Sequence, residues 1–142
     1  MIIMSVDLGK ARTGIAICDR SEIMATPLTV IEEWNRDRLL EKICEIVAER
    51  KAQRMVVGLP VNMDGSEGES AQGAREFADR LREASGIEVI MSDERGTTKT
   101  AIGYLNQSDT RGKRRKAVID AVAASIILQD HLDRRRNAGE QP

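Results

Sequence analysis

At 142 residues, 41% hydrophobic and 32% charged, the chain has room for one compact domain and too much apolar content for a disordered one. The net charge of −1 says nothing about a polyanionic partner, but Arg111, Lys113, Arg114, Arg115 and Lys116 crowd together, and Arg134, Arg135 and Arg136 follow near the end. No apolar run reaches about 18 residues, so no membrane-spanning helix is expected; MIIMSVD lacks the basic leader of a signal peptide. Cys18 and Cys44 are too few for a disulfide scaffold or a zinc site. Each lies among apolar neighbours and reads as a buried, reduced thiol in a cytoplasmic protein.

Residues 2–6 (IIMSV) and 14–18 (GIAIC) read as two strands joined by the glycine-punctuated segment LGKARTG. IMATPLTVI at 23–31 suggests a third strand, with Pro27 arguing for an edge position or a bulge. Then the period changes. In 35–50, Leu39, Leu40, Ile43, Ile46 and Val47 recur at helical spacing, opposite Arg38, Glu41, Lys42, Glu45 and Glu49. RMVVG at 54–58 is a short buried strand, stopped by Leu59-Pro60 and the Asp64-Gly65 turn. Ser66 and Glu69 have capping-box spacing for a second helix, which carries Ala74, Phe77, Ala78 and Leu81 on one face and ends at Gly86.

IEVIM at 87–91 is another strand, running straight into Ser92-Asp93-Glu94-Arg95. Thr97 or Thr98 would cap a short helix to about Asn106. QSDTRGKRR at 107–115 reads as a polar, basic loop, and a last helix over 116–133 is apolar almost all round. RRRNAGEQP at 134–142 has no means of packing and is expected to be a flexible basic tail, leaving 1–133 as the domain.

Three strands followed by helices and strands in alternation, βββαβαβα, give an α/β fold: a mixed five-stranded sheet with helices on both faces and the first strand central. Such sheets carry their sites outside the carboxyl ends of the strands. Asp7 ends the first strand there, although a turn aspartate capping the hairpin would look the same. Glu94 follows the strand at 87–91; alone it would pass for part of a solvated turn, but this strand shares the sheet with the first. Asp120 is the sharper signal, the only charge between Ala117 and Leu128. Burying an uncompensated carboxylate costs several kcal/mol, whereas pairing it with Lys116 on an exposed helix returns only a few tenths. Ala121, Ala123 and Ala124 leave open space beside it.

Converging acids repel, by roughly 4 kcal/mol for a pair about 4 Å apart at an effective dielectric near 20. A divalent cation removes that penalty, and an all-oxygen ligand set favours Mg2+ or Mn2+. Such a site hydrolyses phosphodiesters without a histidine or cysteine nucleophile, and the sole histidine, His131, reads as a surface or capping residue. Lys10, Arg12 and Arg95, beside the acids, are either phosphate ligands or ordinary exposed charges. Gly58 and Gly65 with Asn62 are expected to shape a loop at the same edge. The 111–116 run is the expected nucleic-acid contact, unless it is merely solvated. With aromatics at 2%, base-stacking platforms are lacking, and Trp34 reads as a packing or interface residue.

DLGKARTGIAICD at 7–19, VVGLPVNMDGSEG at 56–68, SDERGTT at 92–98 and VIDAVAASIILQDHLD at 118–133 make the chain resemble the YqgF family over nearly its whole length. That family is also described as Holliday junction resolvases or pre-16S rRNA nucleases. The resemblance implies a ribonuclease H-like fold, divalent-metal nuclease activity, a cytoplasmic bacterial setting and a role in ribosomal RNA maturation. It puts the family's acidic triad on Asp7, Glu94 and Asp120. Gly96 departs from the pattern, since members often carry a bulky apolar residue there.

The expected activity is therefore endonucleolytic processing of the 5′ end of precursor 16S rRNA. Structured RNA is the preferred partner, branched DNA a further one, and pre-ribosomal particles the setting, for a monomer or weak homodimer. Three alternatives remain: resolution of four-way DNA junctions, which needs paired active sites; phosphotransfer, because DLGKARTG is similar to the phosphate hairpin of actin-like kinases; and a non-catalytic ribosome assembly factor. Those kinases need two duplicated domains, and a mere RNA binder leaves the lone acid at Asp120 unexplained.

Overall fold

Alternation along the first strand decides how the layers stack. In the computed structural model, which describes residues 1–60, 64–93 and 112–139, β1 (Ile3–Asp7) sends Met4 and Val6 into one core and Ile3 into another on the opposite face. It is flanked by β2 (Arg12–Ile17) and, beyond that, by β3 (Thr26–Glu32); on its other side lie β4 (Arg54–Leu59) and β5 (Glu88–Asp93). The order is β3-β2-β1-β4-β5, antiparallel on the hairpin side and parallel from β1 through β5. The mixed five-stranded sheet with a central first strand is as the sequence pattern predicts. Pro27 lies on the edge strand at an irregularity, where Ile15 pairs with Thr29 but Ala16 with Pro27.

Helices α1 (Arg36–Arg50) and α2 (Glu69–Ser85) close one face through Leu39, Ile43, Val47, Phe77, Ala78 and Leu81. Asn35 caps α1 by accepting from the Asp37 and Arg38 N–H groups at 2.9 and 3.0 Å, and Lys51 ends it in the left-handed region. The capping box expected for α2 does not form. Asp64 Oδ1 accepts from both the backbone N–H and the hydroxyl of Ser66, an Asx turn that draws Ser66 out of the cap, and Gly68 takes the N-cap position. Cys18 is buried as expected, but Cys44 on α1 is only half-buried.

The opposite face is covered by α3 (Gly112–Asn137), whose Ala124, Ile127, Leu128 and Leu132 pack on Ile3, Ala16 and Val56. It starts and ends beyond the expected 116–133. The backbone is helical from Gly112, so the stretch 112–115 is not loop, and the helix continues past residue 134. The loose tail expected from 134 onward is corrected by Arg135, which is buried and grips Glu22 of the β2–β3 connection through Nε–Oε1 at 2.6 Å and Nη2–Oε2 at 3.4 Å. Residues 128, 132 and 135 fall on one stripe, so the third turn of the apolar face simply ends in a paired charge. The short helix expected before Asn106 lies outside the described residues. Among the described residues no helix is long and apolar enough to cross a membrane.

Burial would push the Glu22 carboxyl up, but the hydrogen bonds from Arg135 and from the Met1 amino group outweigh it and hold the group below the usual glutamate range. The stability this pairing contributes is therefore present above that range and is lost as pH falls through the lowered value. Arg135→Met should strand the carboxylate with only its amino-group partner and cost about 2 kcal/mol, somewhat under the usual figure for breaking a buried pair. Denaturant unfolding at pH 7 and pH 4 checks this: the gap between variant and wild type should shrink at the lower pH. An equal gap at both would mean packing, not charge, holds the helix end.

Candidate active site at the carboxyl edge of the sheet

Parallel pairing brings the ends of β1, β4 and β5 to one edge, with Val6 beside Val57, Val57 beside Met91, and Leu59 beside Asp93. Asp7 closes β1 there, opposite Gly14 of β2. It lies two residues after Ser5, so both are on the face covered by α3. The Ser5 hydroxyl, fully buried, donates to the Ala124 carbonyl at 2.6 Å and clips that helix to the central strand.

Asp120 is one helical turn before Ala124. Its approach depends on Gly14: a Cβ added there would stand 2.0 Å from the Asp120 carbonyl oxygen and 2.6 Å from its carbon. The helix backbone thus rides directly over a strand position with no side chain, beside Asp7. Sequence reading passed over Gly14, although an isolated glycine inside a strand is itself a sign of close backbone approach. Ser5 offered no comparable signal.

The Asp120 carboxylate is half-buried and accepts from Arg12 Nε at 3.2 Å. Burial pushes its pKa up; Arg12 opposes this; the negative charge of Asp7 pushes it up further. Two predicted site residues therefore share one electrostatic environment, and among the described residues Arg12 does not offset the burial of Asp120 and the charge of Asp7. Among the described residues the cation bonded to Asp120 is Arg12 of β2, the strand beneath it.

Arg12 and Lys10 flank the β1–β2 turn, which is held by a hydrogen bond from Arg36 Nη1 to the Gly9 carbonyl at 2.8 Å. Gly58 lies in β4 and Gly65 adopts a φ of 92° in the following turn. Glu94, Arg95, Arg111 and Asn62 lie outside the described residues, as do the side chains of Lys113, Arg114, Arg115 and Lys116. Glu94 directly follows Asp93, the last residue of β5 at this same edge. Among the described residues no three His, Cys, Asp or Glu side chains form a metal cluster; Asp7 and Asp120 supply two donors. Their chemistry fits a hard divalent cation: oxygen ligands only, one of them half-buried and beside the negative charge of the other.

A mixed sheet in this order, with acids meeting where the central strand ends under a helix from the other layer, is the architecture of ribonuclease H-like nucleases. Solved structures bear that out at the level of fold. The chain matches Thermus thermophilus RuvC in complex with Holliday junction substrate at a TM-score of 0.62 and 12% identity, over 100% of this chain and 99% of that one. It matches the fowlpox virus Holliday junction resolvase at 0.57 and 14%, over 94% and 99%. The chain belongs to the RuvX family, described as Holliday junction resolvase, whose model matches residues 1–134. Relatives named "Putative pre-16S rRNA nuclease" include one from Chloroflexus aurantiacus, 43% identical over 96% of this chain and 89% of its own length. Another, from Nitrosospira multiformis, is 38% identical over 93% and 87%.

Proposed function

We propose that this chain is a divalent-metal-dependent endonuclease that trims the 5′ end of precursor 16S rRNA, with Asp7, Glu94 and Asp120 as its metal-holding carboxylates and Mg2+ or Mn2+ as the ion. The observation that carries this reading is the pairing of Asp7 with Asp120 at the carboxyl edge, where each charge raises the energy of the other. The names of the relatives favour precursor rRNA as substrate, and the cytoplasm and pre-ribosomal particles are the matching setting.

A bound hard cation would supply neutralising charge for an in-line phosphodiester displacement. The chain's own groups do the rest. Asp7 and Asp120 present oxygens from two rigid elements, so their separation is fixed before substrate arrives. Arg12, which donates to Asp120 through Nε alone, keeps its two terminal nitrogens for a phosphate oxygen. Lys10, Arg95, Arg111 and the 113–116 run contact flanking phosphates, a contribution that weakens steeply with salt.

A second reading, resolution of four-way DNA junctions, is favoured by the family's description and by the junction-bound RuvC match. Both are tested by offering purified protein a precursor 16S 5′ fragment and a mobile DNA junction side by side, with Mg2+, Mn2+ or chelator. Metal-dependent cutting of the RNA alone supports the first. Symmetric cutting of the junction with the RNA left whole would replace it by the second.

A further inference from the structure

The chain's only tryptophan is the most exposed large apolar side chain among the described residues, with 75% of its surface in solvent. Neither packing nor an internal interface explains it, and an indole left out forgoes burial of roughly 200 Å2. Its support is rigid. On one side the Glu33 N–H donates to the Ala11 carbonyl at 2.8 Å; on the other Asn35 caps α1, and Arg36 reaches the Gly9 carbonyl at 2.8 Å. Lys42 and the Asn35 N–H hold the Glu33 carboxylate at 3.0 and 3.2 Å. Trp34 is therefore fixed to the β1–β2 turn, the segment that runs from Asp7 through Lys10 to Arg12.

Its distance from the acids follows from the ladder. Arg12, bonded to Asp120, is paired across the sheet with Glu32. Strand pairing separates those Cα atoms by about 5 Å, and two more residues add at most about 7 Å. Trp34 accordingly lies within a few nucleotides' reach of the carboxylates, along a path flanked by Lys10 and Arg12. Of the other two aromatics, Phe77 is in the core under Arg36 and Arg80, and Tyr104 lies outside the described residues.

We propose that Trp34 stacks on an unpaired nucleobase of the bound strand and so sets how that strand lies across the carboxyl edge. The inference rests on the nuclease reading above and adds a base contact to recognition otherwise made through the backbone. Stacking tolerates any base, because each has a π-face, and its loss on substitution corresponds to about 5- to 150-fold in Kd.

Because Trp34 is the sole tryptophan, intrinsic emission reports on it alone. The probe is an RNA hairpin with a short single-stranded 5′ overhang, with binding followed separately by anisotropy of a dye on the hairpin loop. The full chain is titrated in chelator, and its Asp7→Asn variant in Mg2+, so that no strand is cut. Emission should be quenched in step with anisotropy, and abasic residues in the overhang should remove the quenching. Trp34→Ala should raise Kd by the factor given, with unchanged circular dichroism and melting temperature, and Trp34→Phe should restore most of the affinity. Binding by anisotropy with unaltered emission would overturn the stacking contact and leave the nuclease reading standing. A blue shift on concentrating the protein without RNA would instead assign Trp34 to contact between copies. No binding in either arm would remove both.

Discussion

Asp120→Asn is expected to lower metal-dependent cleavage by more than about a hundredfold while leaving the folded protein no less stable without metal. The first half follows from the ligand role. Altering groups that merely orient metal ligands typically costs about 10- to 100-fold, so removing a ligand charge should exceed that range. The second half follows from burial. The carboxyl is pushed up by desolvation and by Asp7, so the native state holds its proton to higher pH than the unfolded chain does. Stability from this group is therefore unaffected below the ordinary aspartate range, falls as pH rises through the window, and stays reduced above the raised value. Asparagine has nearly the same shape and no charge, so it erases that pH dependence. Arg12, left behind, is no stranded cation, since 32% of its side chain is exposed.

Added metal should separate the two proteins. A ligand at a hundred times its Kd stabilises by about 2.7 kcal/mol, which for a chain of this size raises the melting temperature by roughly 5–10 °C. Wild type should show that rise with Mg2+ or Mn2+, and Asp120→Asn should not. Protons compete with metal at this carboxylate, so both the rise and the activity should fade on acidification, beginning at higher pH than an ordinary aspartate would set. Cleavage by the variant at the wild-type rate would falsify the assignment. An equal thermal shift in both proteins would move the ion elsewhere.

Asp7 and Asp120 were legible in the sequence because each breaks a local rule. One is an acid at the end of an apolar strand, the other a lone charge inside an apolar helix, and both features are local in the sequence. Their partners were not. Spacing along a helix enumerates only neighbours three and four residues away, whereas the fold brings Arg12 to Asp120 from 108 positions away. The same limit hid Arg135, which looks like the start of a basic tail until Glu22, 113 residues earlier, is packed against it. The Ser66 cap failed for a nearer reason, competition from Asp64 for the same groups. Trp34 reads from the sequence as a packing or interface residue, and only the anchoring of its neighbours to the β1–β2 turn shows that it is left outside the core.

Gly14→Ala should be nearly as damaging to activity as loss of the acid itself, although Gly14 carries no functional group. The added methyl would sit 2.0 Å from the Asp120 carbonyl oxygen, far inside contact, and the obstacle is helix backbone rather than a side chain that can swing away. Either α3 lifts at Asp120 or β2 recedes from it. Ser5, bonded to Ala124 at 2.6 Å, resists the first, and the pairing of Gly14 with Asp7 resists the second. Overpacking of this kind typically costs about 1–3 kcal/mol, and the upper end is expected here because both sides are rigid. A displacement near 1 Å between catalytic groups lowers rates by roughly a hundredfold. Gly73→Ala provides the contrast: it lies on the exposed side of α2 with open space around it, so alanine there should stabilise by up to about 1 kcal/mol and leave cleavage unchanged. Melting temperatures and cleavage rates of the two variants, measured side by side, check the pair. Full activity in Gly14→Ala would mean that the close approach of α3 to β2 is not what holds Asp120 beside Asp7.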